Sequence, residues 1–174
     1  MRFYVLGEIR RNKFVQAILP YTENEKISPP WKFVRGLLKA DISSLPFERN
    51  FGRVLTENIP FLYTGLISDR FKNKLEEDSI TGWDSAAVRF KLKRGEYLDN
   101  YNFLMIRGTV GPLNYKAGEL KERIIDLKVR KSVIPYRLGI GIDESTWDGS
   151  DMFMSTDTSG YVFRPKKQKL VSKV

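Results

Sequence analysis

Neither histidine nor cysteine occurs anywhere in the 174 residues. Their absence excludes Ser-His-Asp and Cys-His nucleophilic catalysis and the usual zinc ligand sets, all of which need an imidazole or a thiolate. Carboxylate, lysine, tyrosine or serine chemistry stays open, as does magnesium held by carboxylates, yet no stretch carries a motif for any of them. The expectation is a non-enzymatic protein with no cofactor and no metal. Also missing is any run near the ~18 consecutive apolar residues of a membrane span. Met1-Arg2-Phe3-Tyr4-Val5-Leu6 runs too soon into Glu8, Arg10 and Arg11 for a signal peptide, so the reading is no membrane span and a cytoplasmic location. Acidic residues are the minority, 21 against 30 Lys and Arg, for a net charge of +9. Such an excess raises encounter rates with anything acidic, whether nucleic acid, an anionic membrane surface or an acidic protein.

The chain is rich in core-forming side chains, at 41% hydrophobic and 13% aromatic. That content suits one domain over residues 1–174, with 1–58 less patterned than 59–174. The patterning predicts an α+β fold, a mainly antiparallel sheet with few short helices. Arg2 to Ile9 and Lys13 to Leu19 read as strands, and Ser28-Pro29-Pro30 reads as extended backbone before Trp31. Trp31 to Asn58 reads as short strands and turns. Ser68 is placed to cap a helix beginning at Asp69, with Ile67, Phe71 and Leu75 as its apolar stripe and Gly82 as its exit. The acidic turn Glu76-Glu77-Asp78 opposes the helix dipole there.

Residues 88 to 94 alternate strictly, which predicts a half-buried strand with Val88, Phe90 and Leu92 inward. Tyr101 to Val110 is apolar at both parities, as for a strand covered on both faces. The turn from Arg94-Gly95-Glu96 to Asn100 suits an antiparallel connection between the two. Ile124 to Val133 alternates again and reads as one strand, although Glu119 to Arg123 also suits a helix. Tyr161-Val162-Phe163 closes the series as a short strand ahead of a basic tail.

Two groups of side chains merit a chemical reading. Arg89, Lys91 and Lys93 share one strand face and Lys128 and Arg130 another; were the strands neighbours, like charges would face each other unless an acidic partner intervened. The same pattern also suits a plain solvated face. Nucleic-acid recognition would want stacking aromatics among these cations, but the alternation puts Phe90 inward and no recognition motif is present, which argues against sequence-specific binding. In Asp143 to Asp151 the acids lack the spacing of a calcium loop, and Asp148-Gly149 reads as a bend that returns Trp147, Met152 and Phe153 to the core. Gly108-Thr109-Val110-Gly111-Pro112 lacks the Lys-Ser/Thr of a phosphate loop and reads as a turn.

Taken in order, several of these stretches resemble a family of bacterial immunity proteins encoded beside polymorphic toxins, long described only as a domain of unknown function. The resemblance is carried by Leu66 to Leu75, by Ile80-Thr81-Gly82-Trp83 with the alternating strand, and by Trp147-Asp148-Gly149-Ser150-Asp151-Met152-Phe153 with the short strand and lysine-rich end. It covers roughly the last two-thirds of the chain and is one of pattern and order. The resemblance implies an α+β protein that binds a cognate toxin domain in the producing cell and blocks it without chemistry of its own. Immunity proteins to nucleases are commonly acidic, whereas this chain is basic, which points to a toxin with an acidic surface met by Arg89, Lys91, Lys93, Lys128 and Arg130. The competing expectation is a basic nucleic-acid-associated protein using the same face.

Overall fold

The computed structural model describes residues 13–20, 27–28, 30–38, 41–62, 64–112, 114, 116, 119–127, 130–138, 141–156 and 161–163. The strand expected from Arg2 to Ile9, the basic tail and Lys128 lie outside them. Six strands form the main sheet: β1 (Gln16–Ile18), β2 (Phe47–Phe51), β3 (Asn58–Phe61), β4 (Thr64–Ser68), β5 (Trp83–Lys91) and β6 (Tyr97–Ile106). Their spatial order is β1-β2-β5-β6-β4-β3, and every pairing is antiparallel except β2 with β5. The two outer strands approach each other, so the sheet curls into a nearly closed barrel. Phe14, just before β1, and Val54, between β2 and β3, form an isolated parallel bridge, with the Val15 amide donating to the Val54 carbonyl at 2.9 Å. Gly52 makes this approach possible: its φ is +84°, and a Cβ there would sit 1.9 Å from the Phe14 carbonyl oxygen.

Phenylalanines fill the interior. Phe33, from the short helix α1 (Pro30–Val34), stacks on Phe103 with ring centroids 4.6 Å apart. Phe47 and Phe61 each lie 6.0 Å from Phe103 and 5.1 Å from one another. β6 is an inner strand of the sheet, and α1, the second helix α2 (Asp69–Glu77) and β10 (Met152–Ser155) also pack against it. Burial therefore extends over every residue from Tyr101 to Ile106, the two-sided covering that the unbroken apolar run requires.

The helix expected after Ser68 is α2, and the Ser68 hydroxyl accepts from the Phe71 amide at 3.1 Å. That hydroxyl also donates to the Glu57 carboxylate, which Arg70 approaches at 3.6 Å. The acidic last turn is offset by Lys74, 3.3 Å from Glu77 and 3.2 Å from Asp78. The exit lies earlier than Gly82. Ser79 adopts φ +51°, its amide donates to the Glu76 carbonyl at 2.9 Å, and the Ile80 amide donates to the Leu75 carbonyl at 3.0 Å. This is a Schellman closure, with Leu75 and Ile80 both buried beneath it. A left-handed serine costs about 1 kcal/mol that glycine does not, so Ser79→Gly is expected to raise the melting temperature by about 2 °C. A lower melting temperature in a thermal scan would remove the strain argument.

Four other expectations are corrected. Pro30 opens α1 instead of holding the chain extended, because a proline at the first helical position forgoes only an amide that has no partner there anyway. Gly108 to Val110 is a strand, β7, paired in parallel with β10, so the stretch from Gly108 to Pro112 is not simply a turn. A Cβ at Gly108 would meet Ser150 Oγ at 1.9 Å and the Met152 carbonyl at 2.1 Å, so the glycine serves close strand approach. Ile124 to Val133 is not one strand: β8 (Glu119–Leu127) and β9 (Arg130–Leu138) form a separate antiparallel hairpin in which Leu127 faces Arg130. Finally, Glu119 to Arg123 is strand and not helix. The last strand is β11 (Tyr161–Phe163), which pairs with β10 as the third member of a small sheet.

Candidate partner-binding face

Of the cations singled out in the sequence, Arg89 and Lys91 sit on β5 and point outward, while Val88 and Phe90 between and beside them are buried. Lys93 stands exposed in the turn to β6, which is closed by a 2.7 Å hydrogen bond from the Leu92 amide to the Glu96 carbonyl. Arg130 opens β9, whose only pairing partner among the described residues is β8, so β5 and the β8–β9 hairpin are not neighbours in one sheet. Among the described residues, the arrangement in which like charges of β5 and β9 face each other across adjacent strands therefore does not arise.

The neighbours that β5 does have carry acids. Glu48 on β2 is the register partner of Lys91, and their side chains meet at 3.2 Å. The hydrogen bond and charge of Glu48, with a further contribution from Tyr97, raise the Lys91 ammonium above its ordinary pKa. Arg89 Nε donates to Asp99 Oδ1 on β6 at 3.3 Å, and the guanidinium lies over the Tyr97 ring, 4.4 Å from its centroid.

Register adds what alternation alone hides. Ile18, Glu48, Lys91 and Tyr97 are successive partners across β1, β2, β5 and β6, and so form one row on the outer face. At the ~4.8 Å spacing of paired strands the row is roughly 14 Å long. Its two ends are apolar and open to solvent, Ile18 at 43% and Tyr97 at 49% exposure. An ion pair thus lies between two exposed hydrophobic groups, with an arginine laid flat on one of them. Ile18, Glu48, Tyr97 and Asp99 escaped the sequence reading because their neighbours lie up to 43 positions away.

Charge is distributed differently from what the total suggests. Residues 41 to 112, which contain β2 to β7, hold ten basic and ten acidic side chains. The excess lies elsewhere: residues 1 to 40 hold eight basic against three acidic, and residues 164 to 174 hold five basic and no acidic.

The acids of the 143–151 segment have structural partners. Asp143 accepts from the Ser145 amide and hydroxyl, which hold its carboxyl below the ordinary range. Burial pushes Asp148 up, but its bonds from Ser150 and Thr109 outweigh that and leave it lowered. Gly149 supplies the bend with φ +85°. Asp151 accepts from both the amide and the hydroxyl of Thr81, at 2.9 and 2.7 Å. Among the described residues no three acidic side chains converge as a metal site would require, and no helix is long and apolar enough to cross a membrane.

Compared with known proteins, the chain matches no family model, and no curated protein resembles it significantly.

Proposed function

We propose that this chain is an immunity protein: it binds a cognate bacterial toxin domain in the cytoplasm of the producing cell and neutralises it without catalysis. The reading is supported by the order of the motifs from Leu66 to Phe153 and, above all, by the exposed row Ile18-Glu48-Lys91-Tyr97 with Arg89 laid on Tyr97. Tyrosine and arginine are the side chains enriched at the centres of protein interfaces, where exposed apolar groups are covered and charges matched.

Co-expression with the product of the adjacent gene tests the reading. Growth should be restored and a stable complex isolated; continued toxicity with no complex overturns it. Within such a complex, reversing Lys91 and Lys128 to glutamate is expected to slow association about tenfold at low salt and flatten its salt dependence. Stopped-flow rates unchanged by the reversal would assign these lysines to a solvated face. The competing reading, a basic nucleic-acid-associated protein, draws on the cationic first 40 and last 11 residues. It requires steeply salt-dependent binding to mixed-sequence DNA or RNA near physiological ionic strength.

A further inference from the structure

The geometry points to Arg89 as a preformed receptor for a carboxylate on the partner protein, an inference that rests on the toxin-binding reading. Only one edge of its guanidinium is engaged. Nε holds Asp99 at 3.3 Å and the plane rests on Tyr97, whereas the two terminal nitrogens make no hydrogen bond or ion pair among the described residues. The side chain is 65% exposed and so open to solvent. Two parallel N–H donors at fixed spacing match the two oxygens of a carboxylate, a geometry that a lysine ammonium cannot reproduce. Stacking and the Asp99 contact fix the rotamer in advance, which lowers the entropy lost when an anion docks.

The same face indicates why Arg89, and not Lys91, is the centre. Both cations have a counter-charge, Glu48 at 3.2 Å from Lys91 and Asp99 at 3.3 Å from Arg89, but Arg89 takes its acid on Nε and keeps its paired terminal nitrogens as a second donor edge, which the single ammonium of Lys91 lacks. Around Arg89 the exposed Tyr97 ring supplies apolar area that a docking protein would cover. The occupant is therefore an aspartate or glutamate set in apolar protein surface. A polyanion fits poorly, because a phosphodiester backbone needs several uncompensated cations, and here the three acids Glu48, Glu96 and Asp99 offset most of the charge of Arg89, Lys91, Lys93 and Arg94.

The test measures affinity of the wild type and variants for the adjacent-gene product by calorimetry. Arg89→Ala is expected to weaken binding ~30-fold or more, mostly through faster dissociation, as when one member of a buried charge pair is removed. Arg89→Lys keeps the charge but loses the fork, and should fall close to the alanine variant. Lys72→Ala, an equal loss of charge on α2, should leave affinity unchanged. Melting temperatures report whether each variant is folded. A complex that forms with wild-type affinity in Arg89→Ala overturns the assignment and leaves the toxin reading standing, and full affinity in Arg89→Lys overturns the carboxylate fork. Absence of any complex removes both. Tight binding of a mixed-sequence 20-base-pair DNA that Arg89→Ala abolishes would assign the site to phosphate and overturn the protein partner.

Discussion

Phe103→Ala is expected to destabilise the protein by about 4 kcal/mol, the range for truncating a fully buried phenylalanine. The ring is 0% exposed and lies against Phe33, Phe47 and Phe61, with centroids at 4.6, 6.0 and 6.0 Å. Three of these aromatic pairs vanish together, each contributing about 0.5–1.5 kcal/mol beyond area burial. The barrel cannot collapse into the space, because Phe103 sits in register between Leu66 on β4 and Ala86 on β5, whose backbones are fixed by the sheet. The helix α1 should suffer most. With five residues it cannot persist alone, and Phe33 on Phe103 is its principal anchor. Urea unfolding followed by tryptophan fluorescence measures the effect, and at 2–4 °C per kcal/mol the melting temperature should fall by roughly 8–16 °C. Phe103→Leu keeps most of the volume and should lose less than half as much. A loss below about 1.5 kcal/mol for the alanine variant would mean that the aromatic cluster is not the centre of the core.

The elements legible in the sequence are those whose determinants lie close together along the chain. Alternation of Val88 and Phe90 with Arg89 and Lys91 placed β5, and the two-parity apolar run placed β6 inside the sheet. Ser68 was readable as a cap because the amide it accepts from is three residues away. The misread elements share another property: their cause is distant or silent in pattern. The single strand expected from Tyr101 to Val110 is split into β6 and β7, and position 108 is glycine because Ser150 and Met152 crowd it from 42 and 44 positions away. The reversal between β8 and β9 carries no Asn-Gly or Asp-Gly signal at Lys128-Val129, and alternation continues through it. The parallel pairing of β2 with β5 needs a crossover that no local pattern encodes. For the binding face, the cations of β5 were legible, but the acids that partner them were not. That changes its physics from a positive field to a compensated surface with one half-engaged arginine.

The second large effect is expected at Asp151, where Asp151→Ala should cost about 3 kcal/mol. This carboxylate is buried at 3% exposure, and one of its oxygens accepts from the Thr81 amide at 2.9 Å and the Thr81 hydroxyl at 2.7 Å. The Asp151 amide donates back to the Thr81 hydroxyl oxygen at 3.1 Å, and the Met152 amide donates to the Thr81 carbonyl at 3.0 Å. Together these bonds clamp the start of β10 to the segment entering β5, beside Gly82, where φ is +82° and a Cβ would meet the Met152 carbonyl at 2.1 Å. Truncation to alanine takes the charged acceptor away from the Thr81 amide and hydroxyl together, so the cost is that of two lost hydrogen bonds to a charged group. Asp151→Asn retains one acceptor oxygen and should lose roughly half as much. A double-mutant cycle with Thr81→Val isolates the interaction, because removing the hydroxyl relieves one orphaned donor, and a coupling of about 1–2 kcal/mol is expected. Arg89 lies at the opposite end of β5, six positions from Trp83, so partner affinity per folded molecule should not change in Asp151→Ala. Reduced affinity in a fully folded population would instead place the β10 junction in contact with the partner, and a coupling near zero would mean that Asp151 acts through groups other than Thr81.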